Sequence, residues 1–287
     1  MGNEQSWTVG RVLDWTKGYF EGKPIDSPRL DAELIISAAT GMSRTQLYMG
    51  MNKPLNADEL AAIRERVRRR AELEPVAYIT GERGFWSIDL KVDPRVLIPR
   101  PDTERLVELA LMWLEGREKP TVVDVGTGSG CIALSLAKDR PDAQITAIDI
   151  SPDALTVARE NGAALGLGHV TFVEGDLLTP IDGPVDCIVS NPPYIPTGDI
   201  AGLMADVVRY EPRGALDGGP DGLDLIRTLV AQAKERIKPG GALFFEIGHD
   251  QGLTAPAVIE EIGGFTNVAV HRDYGKKDRV VQAIRQA

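Results

Sequence analysis

The run Val122-Val-Asp-Val125, followed at once by Gly126-Thr-Gly-Ser-Gly130, constrains the fold more than any other stretch of these 287 residues. A row of β-branched residues interrupted only by Asp124 reads as a buried strand, and such strands belong to parallel sheets covered by helices. Three glycines in the next five positions let the chain turn sharply and approach a ligand closely. From Arg100 onward the pattern repeats. Strand candidates are Thr121–Val125, Gln144–Ile148, Val170–Val173, Val185–Ser190 and Ala242–Ile247, and helix candidates are Asp102–Leu114, Cys131–Ala137, Pro152–Leu165 and Leu223–Ile237. This alternation predicts an α/β fold with a doubly wound, mostly parallel sheet. Val268–Arg272 and Val280–Ile284 suit an antiparallel hairpin at its edge, which brings the strand count to seven.

The chain upstream differs. Over residues 1–75 apolar side chains recur at helical spacing, in Val9-Val12-Leu13 and in Leu30-Leu34-Ile35. Asp58-Glu59-Leu60 opens a further helix running towards Glu74, with Pro75 as its stop. A bundle of four or five helices is expected. Residues 76–98, with Tyr78-Ile79-Thr80, Gly81, Gly84 and Phe85–Val92, read as a β-hairpin linker, and residues 99–287 as the α/β domain. Residues 1–75 hold 11 basic and 11 acidic side chains, the remainder 21 and 31, so the net charge of −10 rests entirely on the later part. A surface of that sign argues against direct nucleic-acid binding. Cys131 and Cys187 read as buried free thiols of a reducing compartment, and the three histidines have no metal-ligand spacing, so no metal is expected. With no long apolar run and no signal-peptide core, a cytoplasmic protein away from membranes is expected. Met1-Gly2-Asn-Glu-Gln-Ser6 meets the N-myristoylation pattern, which is short enough to arise by chance.

The glycine turn opens a helix whose free N–H groups suit a carboxylate. Its spacing, G-x-G-x-G over Gly126, Thr127, Gly128, Ser129 and Gly130, is not that of dinucleotide folds. A second strand ends at Asp149, 23 residues beyond Gly126, where a carboxylate can accept from both hydroxyls of a ribose. A third ends at Glu174-Gly-Asp176-Leu177, where an acceptor suits an adenine amine. Three acidic strand ends after one glycine turn fit S-adenosylmethionine, which has a ribose and an adenine but no phosphate.

Asn191-Pro192-Pro193-Tyr194 follows the fourth strand, 61 residues after Gly130. An amide or aromatic amine nitrogen is a poor nucleophile because its lone pair is delocalised. The Asn191 side-chain oxygen and the next backbone carbonyl can accept its two hydrogens and favour pyramidalisation. Two prolines stiffen the backbone that carries both acceptors, and the tyrosine ring can lie on a flat substrate group. Methyl transfer to a planar –NH2 group is the expected chemistry.

With Glu74-Pro-Val-Ala-Tyr-Ile-Thr-Gly81, Ile98-Pro-Arg-Pro-Asp-Thr-Glu104 and Arg272-Asp-Tyr-Gly275 before Arg279-Val280, the chain resembles the HemK/PrmC family along essentially its whole length. The resemblance implies a seven-stranded, Rossmann-like S-adenosylmethionine-dependent methyltransferase domain behind a helical substrate-recognition domain. It implies transfer to the N5 amide nitrogen of the glutamine in the Gly-Gly-Gln motif of class 1 peptide chain release factors, modulating translation termination. Gly126 to Gly130 and Asp149 match the family's cofactor residues, with Asn191 near the cofactor. Asn191 to Tyr194 match its glutamine pocket. The family often carries an aromatic residue beside the adenine, where this chain has Leu177.

The closest alternative is an adenine-N6 methyltransferase on DNA or RNA, which needs a basic groove that an acidic domain does not offer. A non-catalytic S-adenosylmethionine-binding module has no use for the Asn191–Tyr194 pair. The five arginines between Arg64 and Arg70 read as a solvated helix face held by Glu65–Arg69 and Arg68–Glu72 pairs rather than as an RNA or partner patch. Phe85 and Trp86 suit either a substrate-channel wall or a core role. Arg100 to Thr103 opens a helix after two prolines at a position suited to line the pocket, with Arg100 a candidate substrate contact.

Overall fold

Two chemistries of burial divide the chain. Amphipathic helices must bury one stripe against one another, whereas strands apolar on both faces need helices on both sides. The computed structural model describes residues 6–287 and separates them accordingly. The first unit holds the chain up to Gly81 together with Met204–Tyr210, and the second holds Glu82–Leu203 and Glu211–Ala287. All of the N-myristoylation pattern before Ser6 lies outside the described residues.

The first unit contains helices α1 (Val9–Glu21), α2 (Pro28–Thr40), α3 (Arg44–Met49), α4 (Ala57–Ala71) and α5 (Val76–Thr80). Val9, Val12, Leu13 and Phe20 of α1 are buried with Ile35, Ile36, Leu47, Ile63 and Val67 from its neighbours. The helix starts are written in the sequence. Ser43 with Gln46 and Asn56 with Glu59 form reciprocal capping boxes. Helix α4 carries Asp58 and Glu59 in its first turn and Arg68, Arg69 and Arg70 in its last, the charge order that suits the helix dipole. Its arginines are not one solvated face. Arg68 is exposed between Glu65 and Glu72, but Arg69 pairs with Glu74 rather than with Glu65, and Arg70 is buried with Nε 2.6 Å from Asp31 Oδ2. Tyr78-Ile79-Thr80 is part of α5 rather than of a hairpin, because Tyr78 and Ile79 find burial on a helical turn that Gly81 ends in the left-handed region.

The second unit begins with an antiparallel hairpin, β1 (Glu82–Phe85) and β2 (Ile88–Lys91). Phe85, Ile88 and Leu90 are buried in the main core, so the hairpin is part of this unit. Phe85 is therefore core, and Trp86 is half-buried with its indole N–H donating to Asp139 at 2.7 Å, so neither walls the cleft described below. There follow α6 (Glu104–Leu114), β3 (Thr121–Val125), α7 (Cys131–Asp139), β4 (Gln144–Asp149), α8 (Pro152–Ala164), β5 (Thr171–Glu174) and β6 (Val185–Ser190). The chain then passes through α9 (Ala205–Tyr210), which belongs to the first unit, and continues with α10 (Asp224–Arg236), β7 (Ile237–Glu246), α11 (Thr254–Ile262), β8 (Phe265–Arg272) and β9 (Asp278–Arg285). The seven-stranded sheet runs β5-β4-β3-β6-β7-β9-β8, parallel through β7 and antiparallel at β9 and β8. Its two faces are covered by separate apolar clusters, one around Leu106, Leu134 and Phe244 and one around Ile226, Leu229 and Phe245. No helix among the described residues is long and apolar enough to cross a membrane.

The Arg70–Asp31 pair sets a test of the first unit. Removing one partner of a buried pair leaves an uncompensated charge, so Asp31→Ala is expected to lower stability by about 3 kcal/mol or more, read as an earlier urea transition. Arg68→Ala, at an exposed triad, should leave the midpoint nearly unmoved.

Candidate active site

Strand register builds the site. Val125 of β3 lies beside Ile148 of β4 on one side and Ser190 of β6 on the other, and Ser190 lies beside Phe245 of β7. The next residues of each strand, Gly126, Asp149, Asn191 and Glu246, therefore emerge at one level. The chain moves outward from β3 to β5 in one direction and from β6 to β7 in the other, so this level is the switch point where open α/β sheets bind ligands. A cleft of about 510 Å³ opens there, lined by the glycine turn, Asp149 to Ser151, Asp176, Leu177, Asn191, Pro193, Arg100 and Thr103.

The glycine turn is held from below. Gly126 and Thr127 N–H groups both donate to Ile148 O at 2.9 Å, and Thr127 Oγ1 donates to buried Asp124 Oδ2 at 2.7 Å. Gly126 and Gly128 have φ of +71° and +56°, and the space a Cβ would enter at each is open. Thr127 and Ser129 are buried beside them, and Gly130 caps α7. Asp149 Oδ2 accepts from Gly128 N at 2.8 Å and Oδ1 from Ser151 N at 2.9 Å. Burial raises the Asp149 carboxyl above its usual range, against those two N–H donors. Each oxygen keeps a lone pair for a hydroxyl donor. Leu177 lines the cleft with φ of +50°, a left-handed conformation that costs a branched residue on the order of 1 kcal/mol. An open, positive-φ glycine cradle next to a half-satisfied carboxylate and an apolar wall fits the carboxylate, ribose and adenine of S-adenosylmethionine.

Of the Asn191–Tyr194 stretch, Asn191 and Pro193 face the cleft, Pro192 is buried, and Tyr194 sits behind the wall with its hydroxyl donating to Glu246 Oε1 at 3.0 Å. Asn191 Nδ2 donates to Thr103 Oγ1 at 3.2 Å, and Thr103 in turn donates to Glu246 Oε2 at 2.6 Å. Burial raises the carboxyl of Glu246, while the Thr103 bond, the nearby Arg279 guanidinium and the Tyr194 bond work against that rise. The tyrosine hydroxyl is pushed up by its own burial first and by Glu246 second. Arg279 itself bonds buried Asp273 at 3.2 Å and Ile247 O at 3.2 Å, which gives the Arg272–Gly275 and Arg279-Val280 motif a place behind the pocket. Arg100 lines the cleft and pairs with Glu211 at 2.5 Å.

Sequence reasoning passed over three contributors. Glu246 ends the apolar run Ala242–Phe245, and a lone acid at a buried strand end was the available signal. Gln251 Nε2 donates to Tyr194 O at 3.0 Å and pins the loop. Gly222, with φ of +75°, lies so close that a Cβ there would stand 2.2 Å from Tyr194 O, which explains the glycine at this position. Cys131, read as buried, is partly exposed in the cleft wall, while Cys187 is fully buried.

Asp124 yields a pH test. Complete burial pushes its carboxyl up to about 7, despite donors from Thr127 and the Ala133 N–H. A folded value above the unfolded one means that the folded state holds the extra proton between pH 4 and 7, so stability falls as pH rises through that window. The fall attributable to this group is up to about 4 kcal/mol. Asp124→Asn should flatten the slope of unfolding free energy against pH between 4 and 7, measured by denaturant titration at several pH values.

Comparison with known proteins places this geometry. Residues 11–81 match the PrmC N-terminal domain and residues 106–209 the methyltransferase small domain. The chain is 46% identical to a release factor glutamine methyltransferase of Geobacter sulfurreducens over 96% of each chain. It is 43% identical to one of Chlorobaculum tepidum over the full length of both. Among solved structures, a ribosomal protein L11 methylase from Lactobacillus delbrueckii subsp. bulgaricus superposes with a TM-score of 0.50 at 22% identity, over 69% of this chain and 86% of that one. A methyltransferase from Pyrococcus furiosus does so with 0.51 at 19%, over 70% and 91%. These structures share the fold. Family models over residues 11–81 and 106–209, and relatives above 40% identity over nearly the whole chain, lead to one conclusion: the chain belongs to the release factor glutamine methyltransferase family.

Proposed function

We propose that this protein transfers a methyl group from S-adenosylmethionine to the side-chain amide nitrogen of the glutamine in the Gly-Gly-Gln motif of class 1 peptide chain release factors. The observation that carries the reading is Asn191. Its amide nitrogen is committed to Thr103, so its oxygen is left for the cleft, beside the glycine turn. The full-length relatives bear the same activity in their names.

Bound S-adenosylmethionine supplies a methyl group already activated on a sulfonium sulfur. Gly126 to Gly130 would hold its carboxylate end, Asp149 its ribose, and Asp176 with Leu177 its adenine. Asn191 Oδ1 and the Pro192 carbonyl would accept the two hydrogens of the substrate –NH2, turning the nitrogen lone pair towards the methyl. The chain's contribution is thus alignment, which is worth up to several kcal/mol in rate. Pro192 and Pro193 limit the motion of both acceptors. Arg100, which lines the same cleft, would meet the backbone around the glutamine. The net −10 carried beyond residue 75 supports a protein substrate over nucleic acid, and a buried free thiol at Cys187 supports a cytoplasmic location.

Incubation with a class 1 release factor and labelled cofactor, followed by mass-spectrometric location of the methyl, tests the reading. Incorporation at glutamine is expected. Incorporation at adenine of DNA or RNA, with none at glutamine, would replace it with the amino-methyltransferase alternative. Asn191→Ala should lower turnover on the order of 10²–10³ while changing cofactor binding little, as removal of one oriented polar group in a transition state does. Asp149→Ala should weaken S-adenosylmethionine binding by about 1.5–3 kcal/mol through loss of a charged acceptor, measured by calorimetry. Unchanged affinity would mean that the ribose is held elsewhere.

A further inference from the structure

A side-chain amide has two nearly isosteric ends, one donor and one acceptor, and only the acceptor end of Asn191 suits a substrate –NH2. Something must choose between them. Asn191 Nδ2 lies 3.2 Å from Thr103 Oγ1, and Thr103 Oγ1 lies 2.6 Å from Glu246 Oε2. A threonine hydroxyl has a single hydrogen. Both Glu246 oxygens take hydroxyl donors, Thr103 at Oε2 and Tyr194 at Oε1, so the Thr103 hydrogen points at Glu246. The oxygen of Thr103 is then an acceptor towards Asn191, and Asn191 must offer its –NH2 to it. Turning the amide over would set two lone pairs against each other at the Thr103–Asn191 contact. The second carboxylate oxygen is occupied by the Tyr194 hydroxyl at 3.0 Å, so Glu246 cannot swing away without abandoning that donor. Glu246 is almost fully buried and lies behind the wall formed by Asn191 and Thr103.

We propose that Glu246 is a positioning residue that fixes, through Thr103, which end of the Asn191 amide faces the substrate. The inference rests on the reading of Asn191 as the acceptor for a substrate –NH2. It adds that a buried acid two hydrogen bonds away sets that acceptor's polarity. In Glu246→Gln the remaining oxygen keeps the Tyr194 hydroxyl, so the new –NH2 is a donor to Thr103, whose hydrogen is then free for Asn191 Oδ1. The amide inverts, and the cleft presents a donor to a donor. Thr103→Val cuts the chain outright, while Thr103→Ser keeps it.

The test uses the full chain in two measurements. The first is turnover on a release factor beside S-adenosylmethionine affinity by calorimetry. Glu246→Gln and Thr103→Val should lower kcat roughly 30-fold, as loss of an oriented polar contact does, with cofactor Kd within about twofold, and Thr103→Ser should stay within about threefold of wild type. The second needs neither cofactor nor substrate. In protein labelled with ¹⁵N-asparagine, one of only six asparagines gives the Asn191 side-chain pair. One of its protons should exchange slowly in the wild type and in Thr103→Ser, and rapidly in Thr103→Val and Glu246→Gln. Wild-type kcat in both disabling variants, or unchanged amide protection in them, overturns the proposal. If Glu246→Gln does not fold, the Thr103→Val and Thr103→Ser pair decides it by the same readings. Absence of methyl transfer by the wild type would sink the parent reading alone, since the amide signature is measured without turnover.

Discussion

The common level at which β3, β4, β6 and β7 stop is the constraint on which the rest of the molecule depends. Parallel neighbours share a fixed hydrogen-bond register, so the residue after each strand is placed by the strand beside it. Four chemically different residues are thereby delivered to one edge by backbone pairing alone. The Ser190 hydroxyl, donating to Val125 O at 2.8 Å, ties the glycine turn to the Asn191 loop at the point where the sheet divides. A register slip of one residue in β6 would turn Asn191 away and bury a neighbour in its place.

Much of this was legible from residue patterns. Thr121–Val125 and Val185–Ser190 stand at their expected bounds because short, mostly apolar β-prone runs flanked by proline, glycine or polar residues leave few alternatives. Asp149 and Asn191 are legible because each is a polar residue closing a buried strand at a spacing from the glycine turn that suits its chemistry. Glu246 obeys the same rule but gives no comparable signal, since nothing local tells a buried acid with partners from a solvated strand end. Its partners, Thr103 and Tyr194, lie 143 and 52 residues away in sequence. The start of β7 at Ile237 was hidden by Pro239 and two glycines, which read as a turn. Helix α11 is short, and its apolar stripe lies between Pro256 and two glycines that blur its bounds.

The arginine run of α4 shows why composition misleads locally. Five like charges on one helix suggest a ligand-facing surface, and neighbouring acids suggest a solvated one. Three of these arginines meet three different fates: Arg68 in an exposed triad, Arg69 with Glu74, and Arg70 buried on Asp31, 39 residues away. Long-range pairing of this kind is set by how helices pack, and no window along the chain contains it.

Helix α9 gives the first unit an unusual dependence. Its Tyr210 hydroxyl donates to Glu72 O at 3.0 Å and its Asp206 approaches Arg70 at 3.9 Å, yet it buries no residue of its own. The bundle is therefore assembled from two stretches of chain separated by more than a hundred residues. During synthesis, with chains emerging N-terminus first, helices α1 to α5 are complete long before their last member exists. For that interval Arg70 has Asp31 but not Asp206, and the seat of α9 is open to water. The helical unit matures only after the strand that carries Asn191 has been made, so the order of translation makes completion of the bundle a late event.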